Sequence, residues 1–282
     1  MNLRELLLWG QKILEQEGIQ DASTDAWYCL EHVSGISRAC YYARQDAIIE
    51  DSKEKEYREL IEKRAAHIPL QQLLGEAWFC GNVFYVNEHV LIPRQDTEVL
   101  VEEARKHLSP GKTVLDLCTG SGCVLLALMK ACPDIRGTGS DISPEAVEVA
   151  KKNGERLGIQ AQWIESNLFE RVEGTFHLIT SNPPYIASSE IPTLMEEVRE
   201  HEPWAALDGG ADGLDFYRKI AAQAGGRLRD SGWLCLEIGY DQGSAVSELL
   251  REAGYENIEI IRDLAGLDRV VVGQKSQGGN HV

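Results

Sequence analysis

The sequence predicts an α/β protein, a mostly parallel sheet covered by helices on both faces and preceded by a separate helical segment. Three observations carry that expectation. From Lys112 onward, short apolar β-prone runs alternate with stretches of helical period, the pattern of repeated β-α units. Before Gly75, apolar residues recur almost wholly at helical spacing. Polar residues fall at the carboxyl ends of three of the expected strands, Asp116, Asp141 and Asn182. Sheets of this kind bind ligands beyond the carboxyl ends of their strands, so one crevice can hold all three.

Taken in order, Leu3 to Leu14 is a helix with Gly18 as its stop, Ser23 to Val33 a second, and Arg38 to Tyr42 a short third. Ser52 to Ala66 is an amphipathic helix with a charged outer face, followed by Leu70 to Leu74 after Pro69. Trp78 to Val86 changes to β-prone character around Gly81-Asn82, a hairpin signal. Pro93 opens a loop, Asp96 or Thr97 is placed to cap the next helix, and Val99 to Leu108 carries its apolar stripe. Strands are expected at Thr113–Cys118, Gly137–Ile142, Ala161–Ser166, Phe176–Ser181, Trp233–Ile238, Ile258–Ile261 and Arg269–Val272. Helices are expected at Val124–Lys130, Pro144–Leu157, Gly213–Leu228 and Ser244–Glu252. The domain division is then residues 1–75, a helical module suited to recognising a macromolecular substrate; 76–95, a β-hairpin connector; and 96–282, the α/β domain.

Composition bounds the function. The 282 residues are 43% hydrophobic and 26% charged, ordinary values for a globular protein with a sizeable core. No apolar run approaches the roughly 18 residues that span a bilayer, and the start lacks the basic, cleavable pattern of a signal peptide, so a cytoplasmic protein is expected. The seven cysteines are scattered, with no C-x-x-C pair and no His at ligand spacing, and read as reduced thiols; no metal is expected. The net charge of −17 divides into −4 up to Gly75 and −13 after it. Such a surface repels a polyanion, which argues for a small-molecule ligand or a protein partner over nucleic acid.

Two loops carry the chemistry. The first, Asp116-Leu117-Cys118-Thr119-Gly120-Ser121-Gly122, joins a strand to a helix through a glycine-rich turn. Glycines let the backbone approach a ligand, and the helix N-terminus offers free N–H groups. Asp141, at the end of the next strand, is placed to accept from a ribose diol. Loop and acid together point to an adenosine-containing ligand. Asp116 is a poor neighbour for a pyrophosphate, whereas a sulfonium with an amino-acid tail matches it better. The second loop is Asn182-Pro183-Pro184-Tyr185, where consecutive prolines end the strand and present carbonyl oxygens in a nearly fixed direction. Asn182 adds a side-chain acceptor and Tyr185 a flat ring, so a planar group bearing an NH2 can be gripped and covered. Read alone, the same four residues also suit an ordinary turn.

These residues, Val114-Leu115-Asp116-Leu117 with Thr119 to Gly122, Asp141 and Asn182 to Tyr185, resemble a class I S-adenosylmethionine-dependent methyltransferase that alkylates a planar nitrogen. The helical start, Phe84-Tyr85-Val86, Leu91 to Arg94, Glu202-Pro203, Ala206-Leu207, Gly209-Gly210, Asp212-Gly213-Leu214 and Asp263 to Gly266 resemble, more narrowly, the peptide chain release factor N5-glutamine methyltransferase family over nearly the whole chain. The resemblance implies a Rossmann-like mixed seven-stranded sheet and S-adenosylmethionine as cofactor. It implies methylation of the glutamine in the Gly-Gly-Gln motif of release factors 1 and 2 by a monomer, without direct contact to nucleic acid or membrane. It places Asp116, Cys118, Thr119, Gly120, Ser121, Gly122, Asp141, Asn167, Leu168 and Asn182 at the cofactor. Asn182, Pro183, Pro184 and Tyr185 bind the substrate, with Asn182, Pro183 and Tyr185 in catalytic roles.

Three departures from the family pattern stand out. Cys118 stands for the usual first glycine of the nucleotide loop and needs a tolerated backbone angle there. Asn167 stands for an Asp, and Gln95-Asp96 for Pro-Glu. Two other functions fit parts of the pattern: adenine-N6 methylation of DNA or RNA, where the same loop grips a flipped base, and a non-catalytic cofactor-binding regulatory protein.

Overall fold

A computed structural model describes residues 1–276. These fall into two compact units, Met1–Glu76 with Met195–His201, and Ala77–Leu194 with Glu202 onward. In the first, α1 (Leu3–Gln16), α2 (Ala22–Ser34), α3 (Arg38–Arg44), α4 (Asp51–Ala65) and α5 (Leu70–Leu74) enclose a core around Leu6, Leu30, Tyr57 and Ile61. Asn2 starts α1 with a reciprocal capping box, accepting the Glu5 N–H at 2.8 Å while its own N–H reaches Glu5 Oε2. A buried ion pair, Arg64 Nε to Asp25 Oδ2 at 2.7 Å, ties α4 to α2.

The second unit begins with a hairpin, β1 (Glu76–Phe79) and β2 (Asn82–Tyr85). Its turn is Cys80-Gly81, one residue earlier than the Gly-Asn expectation. Both turn residues have positive φ, 47° and 69°, as a tight twisted hairpin requires. A short 3-10 turn, Gln95–Thr97, leads into α6 (Glu98–Arg105). Neither Asp96 nor Thr97 caps this helix: Thr97, at the N-cap, has helical φ and ψ and makes no capping bond, because its hydroxyl is engaged elsewhere.

The rest alternates as expected, with one helix, α9, that the sequence reading did not include: β3 (Thr113–Leu117), α7 (Cys123–Ala131), β4 (Arg136–Asp141), α8 (Pro144–Leu157), β5 (Gln162–Glu165), β6 (Phe176–Ser181), then α9 (Glu196–His201), α10 (Asp215–Ala224), β7 (Leu228–Glu237), α11 (Gly243–Glu252), β8 (Tyr255–Arg262) and β9 (Asp268–Lys275). The helix expected to reach Leu228 stops at Ala224, because Gly225-Gly226 break it and Leu228 already pairs with Phe176 in the sheet. A register shift separates that pair from the next, Leu178 with Trp233. The mixed seven-stranded sheet runs β5-β4-β3-β6-β7-β9-β8; β3 to β7 are parallel and β9 is antiparallel to both its neighbours.

Strand alternation splits the core into two layers. Leu115, Leu117, Ile179, Leu234 and Leu236 pack against α10 and α11. Val114, Leu178, Cys235 and Val270 pack against α6 and α7. By the same alternation Asp116, Thr180, Asn182 and Glu237 belong to the α6–α7 face at the carboxyl ends. Among the described residues, no helix is long and apolar enough to cross a membrane.

Candidate active site

At those strand ends lies a cavity of about 380 Å³, within the range of small-ligand pockets. Asp116, Cys118, Thr119, Gly120, Ser121, Asp141, Asn167, Leu168, Asn182 and Pro184 all line it. Among the described residues, Gly122, Pro183 and Tyr185 are not part of the lining. The cavity therefore brings together most of the residues singled out from sequence.

Asp116 is 2% exposed, and both its oxygens are engaged: Oδ2 accepts from Thr119 Oγ1 at 2.6 Å and Oδ1 from Thr180 Oγ1 at 2.7 Å. Burial pushes its carboxyl up to about 6; the two hydroxyls pull the other way, and the nearby Asp141 pushes further up. Asp141 accepts the Gly120 N–H on Oδ2 at 2.9 Å and the Ser143 N–H on Oδ1 at 3.0 Å. It too is raised, first by burial. A carboxylate has about four lone-pair sites, so two remain for the hydroxyls of a diol. A Cβ added to Gly120 would meet nothing within 4 Å. Cys118 takes the backbone angle that its place in the loop demands, φ 54°, and burial raises its thiol. Asn153, on α8, fixes this loop by donating to the Ser121 carbonyl while bonding both backbone groups of Tyr85.

The second loop is held from three sides. Asn182 Nδ2 donates to Thr97 Oγ1 at 3.3 Å. Gln242 Nε2 donates to the Tyr185 carbonyl at 2.9 Å, and Gln242 Oε1 accepts the Gly239 N–H at the same distance. Ile186 bonds across to Leu207 and Gly209, forming a one-residue parallel bridge with Asp208. The Tyr185 ring packs against the α10–α11 core layer, and burial pushes its hydroxyl up to about 12. Beside the mouth, Trp204 is 52% exposed and donates to Asp208 Oδ2 at 3.2 Å; Asp208 Oδ1 accepts from Ser188 and the Gly210 N–H. Asn167 stands within the cavity rim with its amide nitrogen given to Glu170 at 2.8 Å.

Sequence reasoning passed over Thr97, Thr180, Glu237, Gln242 and the Trp204–Asp208 pair. Glu237 carried a readable signal, since it closes an apolar run as Asp116 does. Gln242 carried none.

A sheet of this order with a glycine-rich turn after β3 defines a class I methyltransferase-like protein. The solved structures agree. A methyltransferase from Pyrococcus furiosus superimposes with a TM-score of 0.55 at 18% identity, covering 76% of this chain and 99% of its own. A ribosomal protein L11 methylase from Lactobacillus delbrueckii gives 0.50 at 19%, covering 64% and 80%. Residues 5–75 match the PrmC N-terminal domain and residues 94–211 the methyltransferase small domain. The release factor glutamine methyltransferase of Geobacter sulfurreducens is 40% identical over 273 residues, 96% of each chain. Those of Agrobacterium fabrum and Clostridium acetobutylicum are 38% and 36% identical, covering 94% and 96% of this chain and 94% and 98% of theirs. The chain belongs to the release factor glutamine methyltransferase family.

Proposed function

We propose that this protein is an S-adenosylmethionine-dependent protein-(glutamine-N5) methyltransferase. It transfers a methyl group to the side-chain amide of the glutamine in the Gly-Gly-Gln motif of class 1 release factors, tuning translation termination. The observation that carries the reading is the state of Asn182: its amide nitrogen is committed to Thr97, so its oxygen is left as an acceptor at a cavity whose other half is built from two carboxylates.

That half fits the cofactor. Asp116 and Asp141 are both raised by burial and repel each other, so a cation relieves them where a pyrophosphate would not. Asp141 with Gly120 and Ser143 suits the ribose diol, and Asp116 with Thr119 the charged amino-acid end. Cys118, Ser121, Asn167 and Leu168 complete the cradle. S-adenosylmethionine supplies the electrophilic methyl carbon.

The residues on the substrate side hold a poor nucleophile in place. An amide nitrogen is weakly nucleophilic because its lone pair is delocalised into the carbonyl. Asn182 Oδ1 and the Pro183 carbonyl each accept one of its N–H bonds, which selects an NH2 over a carboxylate. Positioning of this kind is worth up to about 7–11 kcal/mol. Pro184 stiffens the loop, and Tyr185, packed in the core and tied through its carbonyl to Gln242, anchors it. No general base is assigned, because the amide acidifies as the bond forms and sheds its proton afterwards. The protein is expected to be cytoplasmic and to act as a monomer on release factors 1 and 2, without nucleic acid.

Mass spectrometry of a release factor incubated with protein and cofactor should find one added methyl on the motif glutamine. Asn182→Ala should keep cofactor affinity within about twofold while losing about 10²-fold or more in transfer. Methylation of nucleic acid instead of the release factor, or full turnover by the variant, would refute the reading.

A further inference from the structure

Pro203 to Ala206 and Asp208 form one wall of the cavity, and the segment that carries them is fixed at both ends. At one end Glu202, whose side chain is 1% exposed, accepts from Arg94 Nη2 at 2.6 Å. Pro203 then starts a single 3-10 turn, Trp204–Ala206, after which the Leu207 and Asp208 N–H groups both return to the Trp204 carbonyl at 3.0 Å. At the other end Leu207 is buried and Asp208 is bridged to Ile186. The Asp208 carboxylate accepts from Ser188 Oγ at 2.6 Å and the Gly210 N–H at 3.0 Å on Oδ1, and from Trp204 Nε1 at 3.2 Å on Oδ2.

The indole is thus held by its polar edge while half of the residue stays open to solvent. Apolar area left in water contributes nothing to folding, and a ring with one polar edge bonded and its faces free is suited to covering a ligand. The ring lines the same cavity as Asn182. A glutamine that brings its side-chain nitrogen to Asn182 leaves its main chain at the mouth, where this wall stands. A peptide plane lies flat on an aromatic ring only where no Cβ intervenes, and glycine is the residue that has none.

We infer that the Trp204 ring is the seat of the acceptor's main chain, a specificity-determining contact that makes the enzyme demand glycine beside the glutamine. This rests on the glutamine-methylation reading above. The ring does not touch the reacting nitrogen, so it binds ground state and transition state alike, and its loss appears in KM rather than in kcat.

The test is labelled methyl transfer to a purified class 1 release factor, and to the same protein with alanine in place of the glycine next to the glutamine. Wild type, Trp204→Phe and Trp204→Ala are compared, with cofactor affinity by calorimetry and melting temperature alongside. Trp204→Ala should raise KM for the unaltered release factor at least about tenfold, with kcat and cofactor Kd within about threefold, and Trp204→Phe should keep most of the affinity. On the alanine substrate wild type should lose at least about tenfold in kcat/KM. Trp204→Ala should lose less than about threefold on the same exchange, because the added Cβ then meets no ring. A merely structural role for Trp204 would leave that penalty equal in the two enzymes. Equal penalties, an unchanged KM in Trp204→Ala, or a cofactor Kd that rises in step with KM each overturn the inference. Wild type that treats both substrates alike overturns it without any variant. Wild type that binds cofactor and methylates no release factor overturns the functional reading, and this inference with it.

Discussion

Gly213→Ala puts the geometry behind the reactive loop to a quantitative test. A Cβ at this position would stand 2.4 Å from the Tyr185 carbonyl oxygen and 2.7 Å from Gln242 Nε2. A relaxed carbon–oxygen contact is about 3.3 Å or more, so close to 1 Å of relief has to come from movement. Neither neighbour yields alone: the Tyr185 carbonyl is held by Gln242, which is itself held by the Gly239 N–H. On the far side the bonds of Ile186 to Leu207 and Gly209 block retreat. The displacement therefore passes along the chain through Pro184 to Asn182. Misplacing a reacting group by about 1 Å costs about 10²-fold in rate, or about 2.7 kcal/mol of transition-state stabilisation. The left-handed angle, φ 73°, adds about 1–2 kcal/mol of lost fold stability for any residue with a Cβ. Steady-state transfer to a release factor should show the loss in kcat, with cofactor affinity by calorimetry within about threefold and a melting temperature a few degrees lower. A variant with wild-type kcat would refute the coupling between Gly213 and Asn182. A cofactor affinity that fell in parallel with the rate would move the effect to the other half of the cavity.

Asp141→Ala removes the shared acceptor of Gly120 and Ser143 and should raise the cofactor Kd at least about tenfold by calorimetry; an unchanged Kd would exclude a diol contact there. Arg64→Ala leaves Asp25 buried without its partner and should destabilise the fold by about 3–5 kcal/mol in urea, while replacing both residues by apolar ones should recover most of it. Asp116 has a native pKa of about 6 against an ordinary 3.8, so between those values the folded form binds the extra proton and stability falls as pH rises from 4 to 6. Asp116→Asn should lose that slope and resist urea better than wild type at pH 7 to 8; an identical pH dependence of the two would show the shift to be absent.

Much of the catalytic half was readable because buried parallel strands are apolar runs, and a polar residue that ends one has few other reasons to be there. Asp116 and Asn182 stood out for that reason, Asp141 for its place at the end of the strand that follows the glycine-rich loop, and the structure puts all three on one cavity. Glu237 obeys the same rule, but without the register of β7 against β6 nothing links it to Asn182. Thr97 was misread because a Thr before an apolar helix is a good cap on local grounds; its hydroxyl oxygen instead accepts from Asn182, 85 positions away. The helix Glu196–His201 has no apolar period to announce it and no buried residue. It is fixed by an ion pair from Glu197 to Arg64 and a hydrogen bond between Glu197 and His67, more than a hundred residues earlier. Interactions of that span leave no local trace.

The bridge between Ile186 and Asp208, with the Ser188 N–H bonded to the Gly210 carbonyl, closes the base of the segment 189–206. Because the two ends are clamped together, a change of length at the exposed Pro192-Thr193 is absorbed within the segment, whereas Glu202, paired with Arg94, and Pro203 to Ala206, which line the cavity, have to stay. Doubling a flexible loop costs only about 0.6 kcal/mol of closure entropy. A designer lengthening this segment therefore has a closed base at residues 188 and 208 to build on, provided the cavity wall at Pro203 to Ala206 is kept.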